Sequence, residues 1–138
     1  MTHLIKNILV MTCAMLLSAT AVQAEHTMPI QRFQIKQGMP VVFYQAMDIP
    51  MLDVHLAFRA GTAYDGQLFG LSTLTTRLLN QGNGGLDANT LATRIAETGA
   101  QFASENNRDM IVLQLKTLTE PDALKQAIDT FTLIIEHP

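Results

Sequence analysis

Residues 51–59 alternate without a break: Leu52, Val54, Leu56 and Phe58 fall on one side, Asp53, His55, Ala57 and Arg59 on the other. Successive side chains of a strand point to opposite faces, so this segment reads as a half-buried strand with one solvated face. A sheet that is wet on one side is the antiparallel kind, because parallel sheets are covered on both faces. The flanking segments agree with that. Residues 32–35 and 41–46 read as two strands around the turn signal Gln37-Gly38-Met39-Pro40. A helix follows over residues 68–80, with Leu71, Leu74 and Leu78 at i, i+3 and i+7 as its inward stripe and Leu79 widening it. The glycine-rich run of residues 81–85 stops it. Asp87 caps a second helix over residues 88–98 that turns Leu91, Ile95 and Thr98 inward, and Gly99 ends it in the position after the last turn. Residues 100–104 read as a short strand, 105–108 as a polar turn and 109–115 as another strand. Thr119-Glu120-Pro121-Asp122 starts a third helix, with Pro121 in the first turn and Asp122 placed to close a capping box. That helix presents Leu124, Ala127, Ile128, Phe131 and Ile135 on one face. The order β-β-β-α-α-β-β-α groups hairpins and helices instead of alternating them. The expected fold is therefore α+β, a mainly antiparallel sheet with helices packed on one face. The sequence stops at His137-Pro138, directly after a helix and with no closing element, as expected of a truncated domain.

The N-terminus has a different character. Lys6 supplies a positive region, residues 8–21 are almost wholly apolar, and Val22-Gln23-Ala24 places small residues at −3 and −1 of a cleavage site. The run is short for a membrane span and ends in that site, so residues 1–24 read as a secretory signal peptide cut between Ala24 and Glu25. Cys13 is the only cysteine; it lies too early and with the wrong flanks for a lipoprotein, and it leaves with the signal. An exported chain of residues 25–138 without a disulfide must draw its stability from its core, which fits a bacterial periplasmic protein. Loss of Lys6 leaves 8 basic against 12 acidic side chains, a net charge of −4 and no basic run. No nucleic-acid footprint and no membrane attachment after cleavage are expected.

Chemistry is sparse. His26, His55 and His137 are not at metal-ligand spacing on any one element, and each reads as a solvated histidine. There is no G-x-S-x-G, no cysteine nucleophile and no phosphate loop; the glycines of residues 81–85 follow a helix, not a strand. Carboxylates are scattered.

One stretch nevertheless has a recognisable shape. Arg59-Ala60-Gly61-Thr62-Ala63-Tyr64-Asp65, then Gly70-Leu71-Ser72-Thr73-Leu74-Thr75-Thr76-Arg77-Leu78-Leu79-Asn80-Gln81-Gly82, resembles the N-terminal domain of the pitrilysin/insulinase-type zinc metallopeptidases. There a glycine-led segment precedes a helix reading G-L-A-H-x-x-E-H-M-L-x-x-G. The opening hairpin, the helix–Gly–hairpin after residue 91 and the closing helix correspond as well, so the resemblance spans residues 29–138. It implies that Thr73 stands where the family has its first zinc-ligand histidine, Thr76 where it has the general-base Glu, and Arg77 where it has the second histidine. Threonine hydroxyls are poor zinc ligands and Arg77 is a permanent cation, so no catalytic residue and no zinc are expected in this chain. A third ligand, a downstream Glu in the family, would lie beyond Pro138.

Bacterial members of the family often act as pairs, in which a zinc-less subunit completes a chamber around the peptide. The resemblance implies that this chain is such a subunit, with zinc only in a homologous partner. It further implies that peptide is held along Ala100, Gln101, Phe102, Ala103 and Ser104, a strand at the sheet edge whose small residues admit a second backbone. A proline at Gln101 or Ala103 is expected to remove one strand N–H. An ordinary edge strand kept short against aggregation is the competing reading. The competing function is a stand-alone periplasmic peptide-binding or scaffold protein that reuses the fold; a neighbouring gene for an H-x-x-E-H homologue separates the two. An enzyme with a relocated site is disfavoured, because no titratable cluster replaces the lost one.

Overall fold

The computed structural model describes residues 29–138 and divides into two units. The expected signal peptide and its cut between Ala24 and Glu25 lie outside the described residues. In the first unit, β1 (Ile30–Gln34) and β2 (Pro40–Tyr44) form an antiparallel hairpin in register from Ile30↔Tyr44 to Gln34↔Pro40. Gly38, at φ +78°, makes the turn that the sequence signalled.

The second unit, Met47–Pro138, holds a three-stranded antiparallel sheet. Its strands are β3 (Met51–Phe58), β6 (Gln101–Asn106) and β7 (Ile111–Leu118), in the order β3-β7-β6. Its helices are α1 (Leu71–Leu78), α2 (Ala88–Glu97) and α3 (Pro121–Glu136). The sheet has the two faces that residues 51–59 demanded. Val54, Leu115 and Phe102 line up across the strands, as do Leu56, Leu113 and Ser104; this is the helix-bearing face. On the other face Asp53 lies beside Lys116, and His55 beside Gln114. There the Asp53 carboxylate takes a hydrogen bond from Gln114 Nε2 at 3.1 Å and lies 3.1 Å from His55 Nε2 and 3.7 Å from Lys116 Nζ, all exposed to water. An α+β fold with helices on one face of an antiparallel sheet is what the structure has.

The core joins Ala100, Ile111, Leu113 and Leu115 to Ala127 and Phe131 of α3. The Phe102 and Phe131 rings meet at 6.0 Å and 58°, a tilted arrangement favoured by aromatic quadrupoles. No described helix is long and apolar enough to cross a membrane.

Several local expectations change. The glycine run is more than a helix stop: β4 (Gly82–Asn83) pairs with β5 (Leu86–Asp87) across Gly84 and Gly85, which take φ +56° and +81°. Two successive positive φ values are what a tight two-residue hairpin turn requires. This hairpin meets the end of α3, where Gly84 N–H donates to His137 O at 2.9 Å and Asn83 Nδ2 to Ile134 O at 3.4 Å, satisfying carbonyls the helix leaves open. Asp122 closes no capping box; Glu120 is the N-cap and makes no side-chain cap bond, while Pro121 sits at the first position as expected. Asp87 and Gly99 cap α2 as read, with Thr90 N–H donating to Asp87 Oδ1 at 2.7 Å and Gly99 at φ +68°.

The largest correction concerns α1. Leu71, Leu74 and Leu78 do form one stripe, but it faces solvent, with Leu74 56% exposed. The buried face carries Ser72 and Thr76. Small polar residues let the helix lie close along β6, where Ser104 Oγ–H donates to Thr76 O at 3.3 Å. A bulky leucine face would hold the two backbones apart.

Candidate functional site: a free strand edge beside α1

The candidate site begins with how α1 is started. Gly70 lies at φ +87° and offers no side chain as a cap. Asp65 replaces it from five residues upstream: Oδ2 accepts from Gly70 N–H and Oδ1 from Ser72 N–H, both at 2.9 Å. Hydrogen bonds from the Ser72 side chain and amide, with a further one from Gly70 N–H, hold the Asp65 carboxyl below its ordinary value, against the opposing effect of its burial. A group lowered in the folded state binds protons more readily when unfolded. Its contribution is therefore complete above the unfolded value of 3.8 and is lost as pH falls through the lower folded value. Asp65→Asn should destabilise the protein at neutral pH, and the gap to wild type should close below pH 3.8; urea titrations at neutral and acid pH check this. The sequence places Asp65 in the segment leading to α1 but signals no capping role for it, since its partners lie five and seven positions away, outside the usual cap spacing.

Next, α1 is tied to the end of β6. Asn106 Nδ2 donates to Ser72 Oγ at 3.0 Å and to Thr73 Oγ1 at 3.1 Å. Thr76 Oγ1–H donates to Ser72 O at 2.7 Å and is buried; Arg77 is exposed. The three positions singled out in the sequence thus lie on the helix that flanks β6. They offer two hydroxyls already engaged in protein hydrogen bonds and one guanidinium, and no imidazole, thiolate or carboxylate. This donor set does not fit zinc. Among the described residues no group of three His, Cys, Asp or Glu side chains is placed to hold a metal.

β6 is the outer strand of its sheet, and among the described residues no strand of the unit pairs with its other side. Which of its groups face outward follows from the ladder. Asn107 N–H donates to Met110 O at 3.0 Å, and at the far end of β7 Thr119 N–H donates to Pro50 O at 3.0 Å. With unbroken registers from Gln101↔Lys116 to Asn106↔Ile111 and from Met51↔Leu118 to Phe58↔Ile111, both anchors lead to one pattern. Antiparallel alternation turns the N–H and C=O of Gln101, Ala103 and Glu105 toward β7, and those of Phe102, Ser104 and Asn106 toward the open edge. A proline at Gln101 or Ala103 would therefore break the β6–β7 ladder and not the open edge. Position 104 is the one that reports on the edge.

The five residues proposed to hold peptide are not equivalent. Ala100 precedes the strand and is buried in the core, so its smallness serves packing. Phe102 is half-buried against Phe131. Gln101 and Ala103 are exposed on the outer face, and Ser104 is tied to α1. Asn106, expected in a polar turn, is the last residue of β6 and joins the strand to both Ser72 and Thr73.

Comparison with known proteins bears on this arrangement. No family model matches the chain, and no curated protein does. Among solved structures, the chain is similar to a peptidase M16 inactive domain from Pseudomonas fluorescens, with 32% identity over 78% of this chain and a TM-score of 0.75. A protease from Helicobacter pylori shares the fold at 15% identity over 80% of this chain, with a TM-score of 0.65. In each case the chain spans 26% of the matched chain's length. Those likenesses support an M16-like inactive domain, similar to the insulinase and pitrilysin type of metallopeptidase homologue.

Proposed function

We propose that this chain is the catalytically degenerate part of an exported insulinase/pitrilysin-like peptidase complex. In this reading it holds extended peptide for a homologous subunit that carries the zinc. The observation that supports the reading is the outer edge of β6 lying beside the helix that carries Thr73, Thr76 and Arg77, the positions that the resemblance aligns with the zinc ligands and general base. Strand addition needs only main-chain donors and acceptors, so it survives the loss of catalytic side chains. The three outward-facing residues, Phe102, Ser104 and Asn106, offer a row of such groups.

Ser104→Pro tests this. The ring removes one outward N–H and obstructs pairing at the edge, while leaving the β7 ladder intact. Peptide turnover by the chain together with an H-x-x-E-H homologue should fall about tenfold, the scale of one lost hydrogen bond near 1.4 kcal/mol. Ser104→Ala, which loses only the hydroxyl bond to Thr76 O, serves as the control and should retain most turnover. If Ser104→Pro stays folded and assembles, yet turnover is unchanged, β6 does not hold the peptide.

A further inference from the structure

Beside the first residues of β6 the structure has a cavity of about 310 Å³, walled by Leu91, Ala92, Ile95 and Ala96 of α2 and by Ala100 and Phe102. Its two remaining lining residues are Asn80 and Gln101, the latter at the first position of β6 with its side chain on the opposite face of the sheet, and neither is charged. Small-molecule clefts run from roughly 300 to 1,000 Å³, so this one is at the lower limit and suits a side chain better than a metabolite. Its position relative to the open edge decides what reaches it. A strand added to β6 bonds to Phe102, and side chains directly opposite one another across a strand pair share a face. The residue opposite Phe102 must therefore project on the helix-bearing face, where the cavity lies. No charged residue lines the cavity, so an ionised side chain would be desolvated there without a partner.

We infer that this cavity is a selectivity pocket for one uncharged apolar side chain of a peptide added to β6. The inference rests on the peptide-holding reading, and its test separates the two. Two short blocked peptides, identical but for a central leucine or aspartate, are titrated into the full chain while the amides of Phe102, Ser104 and Asn106 and the methyls of Leu91 and Ile95 are followed by NMR. The edge amides should respond to both peptides. The methyls should respond to the leucine peptide alone, which should bind roughly tenfold tighter or more. Ala96→Phe, filling the cavity from the exposed side of α2, should bring that ratio close to one. Edge amides that shift with both peptides while the methyls stay still, or a ratio that survives Ala96→Phe, would overturn the pocket and leave strand addition standing. Methyls that shift without the edge amides would overturn the pocket as part of a strand-addition site. No response at either place would overturn both readings.

Discussion

Gly61→Ala should cost about 3 kcal/mol and lower the Tm by roughly 15 °C. The reason is not backbone strain, because Gly61 has φ −73° and ψ −178°, an extended conformation open to any residue. It is the approach of the β6–β7 turn. A Cβ at position 61 would lie 2.5 Å from Met110 N and 2.6 Å from Arg108 C, with Asn107 O closer still. All three are main-chain atoms and none swings aside as a side-chain tip would. Relief requires moving the turn, and the turn is pinned by Thr62 N–H donating to Asn107 O at 2.9 Å and Ala63 N–H to Arg108 O at 2.8 Å. Those two bonds would be weakened together, at about 1 kcal/mol each, on top of the steric cost. Urea denaturation of the variant checks the prediction; a loss below about 1 kcal/mol would mean that the turn is free to shift.

Ile134→Ala should cost roughly 2–5 kcal/mol, whereas Leu74→Ala should change stability by no more than about 0.5 kcal/mol. Both changes remove a large aliphatic side chain from a helix, and both positions belong to apolar stripes. Their surroundings differ: Ile134 is 0% exposed and Leu74 is 56% exposed. Deleting the first leaves a cavity in packed surroundings. Deleting the second opens no cavity, and alanine's high helix propensity offsets the small loss of packing. Parallel denaturant curves for the two variants decide the matter. A large loss at Leu74 would show that the leucine stripe of α1 is buried in solution, contrary to the structure.

The contrast between those two positions marks how far periodicity reaches. In α3 the predicted stripe of Leu124, Ala127, Ile128, Phe131 and Ile135 is close to the buried face, because the helix packs on β7 with its broad apolar side; only the stripe's centre moves, toward Thr130 and Ile134. In α1 the period is right and the direction wrong. A stripe at i, i+3 and i+7 shows that one face is apolar, but not that the face has a partner. What α1 packs against is β6, and close approach there favours Ser72 and Thr76 over leucine. The open edge shows the same limit. The sequence picks out residues 100–104 as a strand, and the resemblance places that strand at a sheet edge. Which N–H groups point outward depends on the register with β7, settled by Asn107 N–H on Met110 O.

Local chemistry therefore determined the strand read over residues 51–59 and observed over Met51–Phe58, the caps at Asp87 and Gly99, the α+β order, and the absence of metal-ligand side chains at positions 73, 76 and 77. Each depends on a residue and its near neighbours, through side-chain alternation, φ preference or ligand chemistry. Tertiary structure alone decided that Asp65 caps α1, that Gly61 must lack a side chain, that the hairpin of residues 82–87 docks on the end of α3, and that Phe102, Ser104 and Asn106 face the open edge. Each of these turns on atoms brought together from separate segments, whose distances no local pattern encodes.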